Sequence, residues 1–135
     1  MTRRLLDTNI LSDLVRNPLG IVAQRIRRVG EGNVCTSIIV AAELRFGAEK
    51  KGSQRLLNRI EAVLDTMEVL PFSAPADATY AAIRTVLERA GRPMGANDLL
   101  IAAQAVTLGC TLITDNEQEF RRIRNLSLEN WLRRR

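Results

Sequence analysis

Four short apolar runs, each followed by a stretch with helical periodicity, constrain this chain more than anything else in it. Arg3 to Leu6 reads as a short buried strand, and Thr8 or Asn9 caps a helix running to about Arg16, where Asn17-Pro18 stops it. Leu19, Val22, Ile26 and Val29 recur at helical spacing and mark an amphipathic helix ending near Gly30. Asn33 to Thr36 is the second strand, and Ser37 caps a strongly apolar helix to about Lys50. Beyond Gly52, Leu56, Leu57, Ile60, Val63 and Leu64 share one helix face, and a strand at Glu68 to Leu70 is halted by Pro71. Tyr80, Ile83, Val86, Leu87 and Ala90 trace a helix closed by Gly91 and Pro93. Leu99 to Leu108 is apolar almost all round, as in a helix deep inside a domain, and leads to a strand at Thr111 to Thr114. A short helix over Glu117 to Arg124 and an apolar piece near Leu126 to Leu128 follow.

Strands separated by crossover-length helices predict a mainly parallel sheet covered on both faces, hence an α/β fold. At 135 residues, with no internal repeat and no Gly/Ser linker, the expectation is a single domain over 1–135. The longest apolar runs, such as Ser37 to Leu44, are cut by an acid well before the roughly 20 residues a membrane span requires. No charged-then-apolar leader precedes the first strand, so a cytoplasmic location without membrane contact is expected.

What the chain lacks narrows its chemistry. It has no His, which removes imidazole acid/base catalysis, Ser-His-Asp and Cys-His pairs, and zinc sites built on imidazole. Cys35 and Cys110 are far apart in sequence, each within an apolar stretch, and read as buried structural thiols. The eight glycines form no phosphate-cradling motif. The net charge is +5, and only Lys50 and Lys51 among the twenty basic residues are not Arg. Clusters at Arg25-Arg27-Arg28, Arg121-Arg122-Arg124 and Arg133-Arg134-Arg135 suit a polyanionic partner, against the plainer alternative of charge spread over solvated helices.

The acids stand out against this background. Asp7 ends the run Leu5-Leu6-Asp7, at the carboxyl end of a strand, where open α/β sheets build their sites. Glu43 has Ile39 and Val40 a turn before it and Phe46 and Gly47 a turn after, an apolar setting in which a carboxylate needs a cation, an Arg or a shared metal. Arg45 and Glu49, by contrast, read as an ordinary surface pair. Asp98 heads the most apolar helix, where either it or Asn97 could serve simply as an N-cap. Asp115, directly after Leu112-Ile113-Thr114, is expected to project over the sheet edge as Asp7 does, and Glu119 lies one turn on. Carboxylates brought together repel, so this set calls for a divalent cation, and all-oxygen ligands favour Mg²⁺ or Mn²⁺. Such a site hydrolyses phosphodiesters without histidine, with Thr8, Thr114 and Asn116 as polar neighbours that support the acids or touch the phosphate.

Four motifs then carry a resemblance. Leu6-Asp7-Thr8-Asn9, Ala41-Ala42-Glu43-Leu44-Arg45-Phe46-Gly47-Ala48, Arg92 through Ala102, and Leu112-Ile113-Thr114-Asp115-Asn116 through Glu119-Phe120 resemble the PIN-domain ribonucleases, and among them the VapC toxins of type II toxin–antitoxin systems. The similarity extends to Leu126 to Trp131. It implies a PIN-like three-layer α/β/α domain with a five-stranded parallel sheet and a Mg²⁺ site made from Asp7, Glu43 and Asp98. It further implies an endoribonuclease that cuts RNA, often tRNA, and stops translation and growth. A cognate antitoxin that blocks the site, a homodimer, and operator DNA bound only through the antitoxin are implied partners. Many PIN domains carry a further acid two residues after the threonine, where this chain has Asn116, with Asp115 one position earlier. Glu119 matches an acid used in some relatives, so the fourth position stays open between Asp115, Asn116 and Glu119. The competing expectation is a non-catalytic RNA-binding or regulatory module, which accounts for the arginines but not for the apolar-face acids, and has few aromatic platforms for bases.

Overall fold

The computed structural model describes residues 2–133; Met1, Arg134 and Arg135, and with the last two most of the final arginine cluster, lie outside the described residues. Five strands form one sheet: β1 (Arg4–Leu6), β2 (Val34–Ser37), β3 (Glu68–Leu70), β4 (Thr111–Ile113) and β5 (Ser127–Glu129). Their order is β3-β2-β1-β4-β5, and every pairing is parallel. Leu5 and Leu6 in the central strand are both 0% exposed. Successive strand side chains point to opposite faces, so burial of both requires helices above and below the sheet.

The crossovers supply that cover. Helices α1 (Thr8–Arg16) and α2 (Ile21–Val29) connect β1 to β2, and α3 (Ile38–Lys51) and α4 (Gln54–Leu64) connect β2 to β3. The return to β4 runs through α5 (Ala76–Arg89) and α6 (Ala96–Leu108), which pack on each other, and the one-turn α7 (Glu117–Phe120) precedes β5. In α1, Ile10, Leu11, Leu14 and Val15 form the buried stripe, and Asn17 caps the end before Pro18. In α6, Leu99, Ile101, Ala102, Ala103, Gln104 and Ala105 are all buried, matching its almost continuous apolar pattern. Gln104 donates from Nε2 to Leu70 O and Pro71 O (3.0 and 2.9 Å), tying α6 to the exit of β3. Cys35 and Cys110 are free and buried, as expected of structural thiols. No helix among the described residues is long and apolar enough to cross a membrane.

Several local expectations are corrected. Leu19 is not on the inner face of α2; it sits in the turn before the helix and is 81% exposed, because Pro18 and Gly20 postpone the helix start to Ile21. The helix expected over Glu117 to Arg124 stops at Phe120. Phe120 and Ile123 are both buried, but Ile123 is brought in by a turn whose N–H donates to Phe120 O (3.1 Å). Arg45 reaches α4 rather than Glu49, with Nε and Nη2 donating to Glu61 at 2.7 and 2.9 Å. A planar fork aligned with a carboxylate on the neighbouring helix outcompetes a flexible pair along one helix.

Candidate active site

Asp7 sits where β1 hands over to α1 with no loop between them. Its N–H extends the ladder by donating to Ile113 O (3.0 Å), and its Oδ1 accepts the N–H of Ile10 (3.2 Å). Asp7 is therefore itself the N-cap of α1, which corrects the expectation that Thr8 or Asn9 caps; both are already helical. Asp7 as a whole is 5% exposed. Burial pushes its pKa up to about 6, with the Asp98 charge adding to the rise and the Thr114 hydroxyl and the N–H groups of Ile10 and Asn9 opposing it.

Asp98 is the third residue of α6. Gly95 occupies the N-cap position without a side-chain bond, so neither Asn97 nor Asp98 is spent on capping. Asp98 is half-buried, and burial, then the charges of Glu43 and Glu119, raise its pKa. Its charge acts on Asp7, and it is acted on by the charges of Glu43 and Glu119.

Glu43 is half-buried on α3, beside the buried stripe of Val40, Ala41, Leu44 and Ala48. Phe46 is 65% exposed, so the apolar surroundings of Glu43 are narrower than the sequence spacing implies. Its Oε1 accepts the Thr8 hydroxyl at 2.7 Å, a bond that links α1 to α3 at the sheet edge. Asn9 is exposed one residue further on.

The β4 side separates its candidates. Because Leu6 is in register with Ile113, the residue beside Asp7 is Thr114, which is fully buried. Thr114 donates its N–H to Glu129 O (3.0 Å) and accepts the Asn116 N–H on Oγ1 (3.0 Å). Fully enclosed in this way, it serves the interior of the site rather than a phosphate. Asp115 comes one residue later, is exposed, and accepts from Asn130 Nδ2 (3.2 Å), so it turns toward the chain end and not over the sheet edge as Asp7 does. Asn116 is exposed at the start of α7. Glu119 points back: its charge reaches Asp98, and its Oε1 meets Arg122 Nη2 at 2.6 Å. That last contact places Arg122, grouped in the sequence with a phosphate-facing cluster, inside the protein instead. The Glu119–Arg122 spacing of three was the signal available for it.

No ion pair among the described residues involves Asp7, Glu43 or Asp98. Nor do any three acid or thiol side chains among them converge closely enough to ligate one ion directly. The donor set still fits a hard cation, since it is all oxygen and Mg²⁺ keeps several waters and takes one or two carboxylates. The raised pKa of the buried Asp7 has the same meaning: its charged form lacks a positive partner.

Comparison with known proteins decides the family. The PIN domain model matches residues 4–126. The chain belongs to the PIN-domain family. Within it, this PIN domain groups with the VapC ribonucleases: it is 37% identical to ribonuclease VapC2 of Rickettsia felis over 129 residues, covering 94% of this chain and 96% of that protein. It is 36% identical to the tRNA(fMet)-specific endonuclease VapC of Shigella flexneri, covering 97% and 99%. The crystal structure of DNA-bound VapBC from Salmonella typhimurium superimposes with a TM-score of 0.90 at 32% identity, covering 97% of this PIN domain and 99% of that chain. The five-stranded parallel sheet expected from the motifs is the one observed.

Proposed function

We propose that this PIN domain is a Mg²⁺- or Mn²⁺-dependent endoribonuclease acting as the toxin of a toxin–antitoxin module. The observation that carries this reading is the placement of Asp7, Glu43 and Asp98 at one sheet edge with Glu119 nearby, none of the first three in an ion pair among the described residues. Asp7 and Asp98 would hold the ion, with Glu43 kept in place by the Thr8 hydroxyl. A divalent cation bound there lowers the pKa of a water and offsets charge on the phosphodiester. Glu43, or Glu119 beside it, would complete the ion's surroundings or orient an attacking water. Burial of Thr114 and the N-cap bond from Ile10 fix the Asp7 carboxylate without neutralising it.

The relatives of Shigella flexneri and Salmonella typhimurium are named as tRNA(fMet)-specific endonucleases, and we assign this chain a tRNA substrate by similarity. Solved neighbours are VapBC complexes, two of them with DNA, so a small antitoxin that covers the site and supplies the DNA contact is the assigned partner, with the toxin a cytoplasmic homodimer. The test is cleavage of a purified tRNA pool by this protein. Activity should vanish in EDTA, return with Mg²⁺ or Mn²⁺, and fall at least about 100-fold in Asp98→Asn with the fold intact by circular dichroism. Full cleavage by Asp98→Asn, or cleavage indifferent to chelator, refutes the assignment.

A further inference from the structure

Building on that reading of the acids, we propose that Arg122 is a positioning residue of the centre: its guanidinium joins Glu119 and the lead-in to α6 into one unit, and so sets how Glu119 stands relative to Asp98. The fork is fully engaged. Nη2 meets Glu119 Oε1 at 2.6 Å, and Nε donates to Glu119 O at 3.2 Å. Nη1 donates to Arg92 O at 2.8 Å, and Nη2 reaches Pro93 O at 3.5 Å. The Arg122 side chain is 18% exposed, against 65% for its neighbour Arg121, so it is spent on the interior.

The segment it holds has little else to fix it. Residues 92–95 are in neither helix nor strand. The segment is tied at one end by the Arg92 N–H to Leu87 O (2.8 Å) and at the other by the Leu99 N–H to Gly95 O (3.0 Å). Pro93 has no N–H to contribute. On the other side, α7 is a single turn, too short to hold Glu119 by helical cooperativity. Each weak piece adjoins an acid of the same group: the 92–95 segment leads directly into α6, whose third residue is Asp98, and α7 carries Glu119. Arg122 is the contact that couples them. A lysine presents a point charge and cannot span these acceptors together.

The proposal separates from a purely electrostatic role by sign. Removing a positive charge beside an acid cluster should tighten divalent binding, whereas loosening the cluster should weaken it. The experiment compares the full-length protein with Arg122→Lys, Arg122→Gln, Glu119→Gln and the Arg122→Gln/Glu119→Gln double variant. Mn²⁺ affinity is read by electron paramagnetic resonance, amide exchange over residues 92–99 by mass spectrometry, and tRNA cleavage by kcat and KM. Both Arg122 variants should bind Mn²⁺ about tenfold more weakly, lower kcat rather than raise KM, and exchange faster over 92–99. The double variant should cost little beyond Glu119→Gln. Unchanged or tighter Mn²⁺ binding in Arg122→Gln, or full rescue by Arg122→Lys, overturns the proposal. A wild type that binds Mn²⁺ yet cuts no tRNA refutes the nuclease reading instead, and the binding and exchange arms still decide Arg122.

Discussion

Replacing Asp7 by Asn should make the metal-free protein more stable while destroying its function, and the size of the gain can be worked from burial. Asp7 is 5% exposed and burial raises its carboxyl pKa from 3.8 to about 6. That difference corresponds to about 3 kcal/mol favouring the neutral form in the folded state. Between the two values the folded protein binds more protons than the unfolded chain, so stability falls as pH rises from about 4 through about 6, and the whole penalty is present above that. Asparagine carries no charge and caps a helix as well as aspartate, so the Ile10 N–H keeps its acceptor.

In EDTA at pH 8, Asp7→Asn should therefore gain about 2–3 kcal/mol, or a Tm rise of about 10 °C for a chain of this length. Near pH 4 the two melts should coincide. Adding Mg²⁺ should stabilise the wild type and not the variant, closing the gap at pH 8. Melting curves by circular dichroism across pH 4–8, with and without Mg²⁺, give the complete comparison. A variant less stable than wild type at pH 8, or a difference that does not change with pH, would show that Asp7 is not a charge held against its solvation preference, and the metal argument would lose its main support.

Thr8→Val keeps the shape of the side chain but removes the 2.7 Å hydroxyl bond to Glu43, so kcat on tRNA should fall about tenfold while the melt shifts by only a few degrees; unchanged kcat would release Glu43 from the centre. Trp131→Ala empties a site that is 1% exposed under β5 and loses the Nε1 bond to Glu129 (3.0 Å), at an expected cost of about 3–5 kcal/mol in urea unfolding followed by circular dichroism. A loss below about 1 kcal/mol would mean that the edge strand does not depend on it.

Most of the fold was legible because the strands are short and β1, β2 and β4 are almost wholly buried, so an apolar run of three or four residues between helical patterns has few other readings. The misses come from residues whose burial mimics the wrong element. Phe120 and Ile123 keep a spacing of three and are both buried, yet a turn brings the second one in. Leu19 keeps helical spacing with Val22 and Ile26, but Pro18 and Gly20 control the chain there and leave it in solvent. Pattern alone does not distinguish a periodic residue inside a helix from one just outside it. Only the backbone preferences of its neighbours do.

The site was legible for a different reason and to a different depth. Asp7, Glu43 and Asp98 were visible as carboxylates in apolar settings, a conflict that local sequence shows directly. The identity of the residue facing Asp7 across β4 was not, because it depends on register: β4 ends at Ile113, so Thr114 takes the position beside Asp7 and Asp115 is turned out toward Asn130. A slip of one residue exchanges the two. The partners of the arginines were hidden as well, since Arg45 and Arg122 find theirs on other elements. These pairings draw arginines away from Asp7, Glu43 and Asp98, which have no ion pair among the described residues even though the chain carries a net charge of +5. Arg45 is tied to Glu61, Arg122 to Glu119 and to the Arg92 and Pro93 carbonyls, and Arg25, in the middle of α2, lies 5.9 Å over the Trp131 ring. These three arginines are committed away from Asp7, Glu43 and Asp98. On the proposed reading the cation for Asp7 and Asp98 comes from solution, so their stability and their chemistry should respond to the same ion.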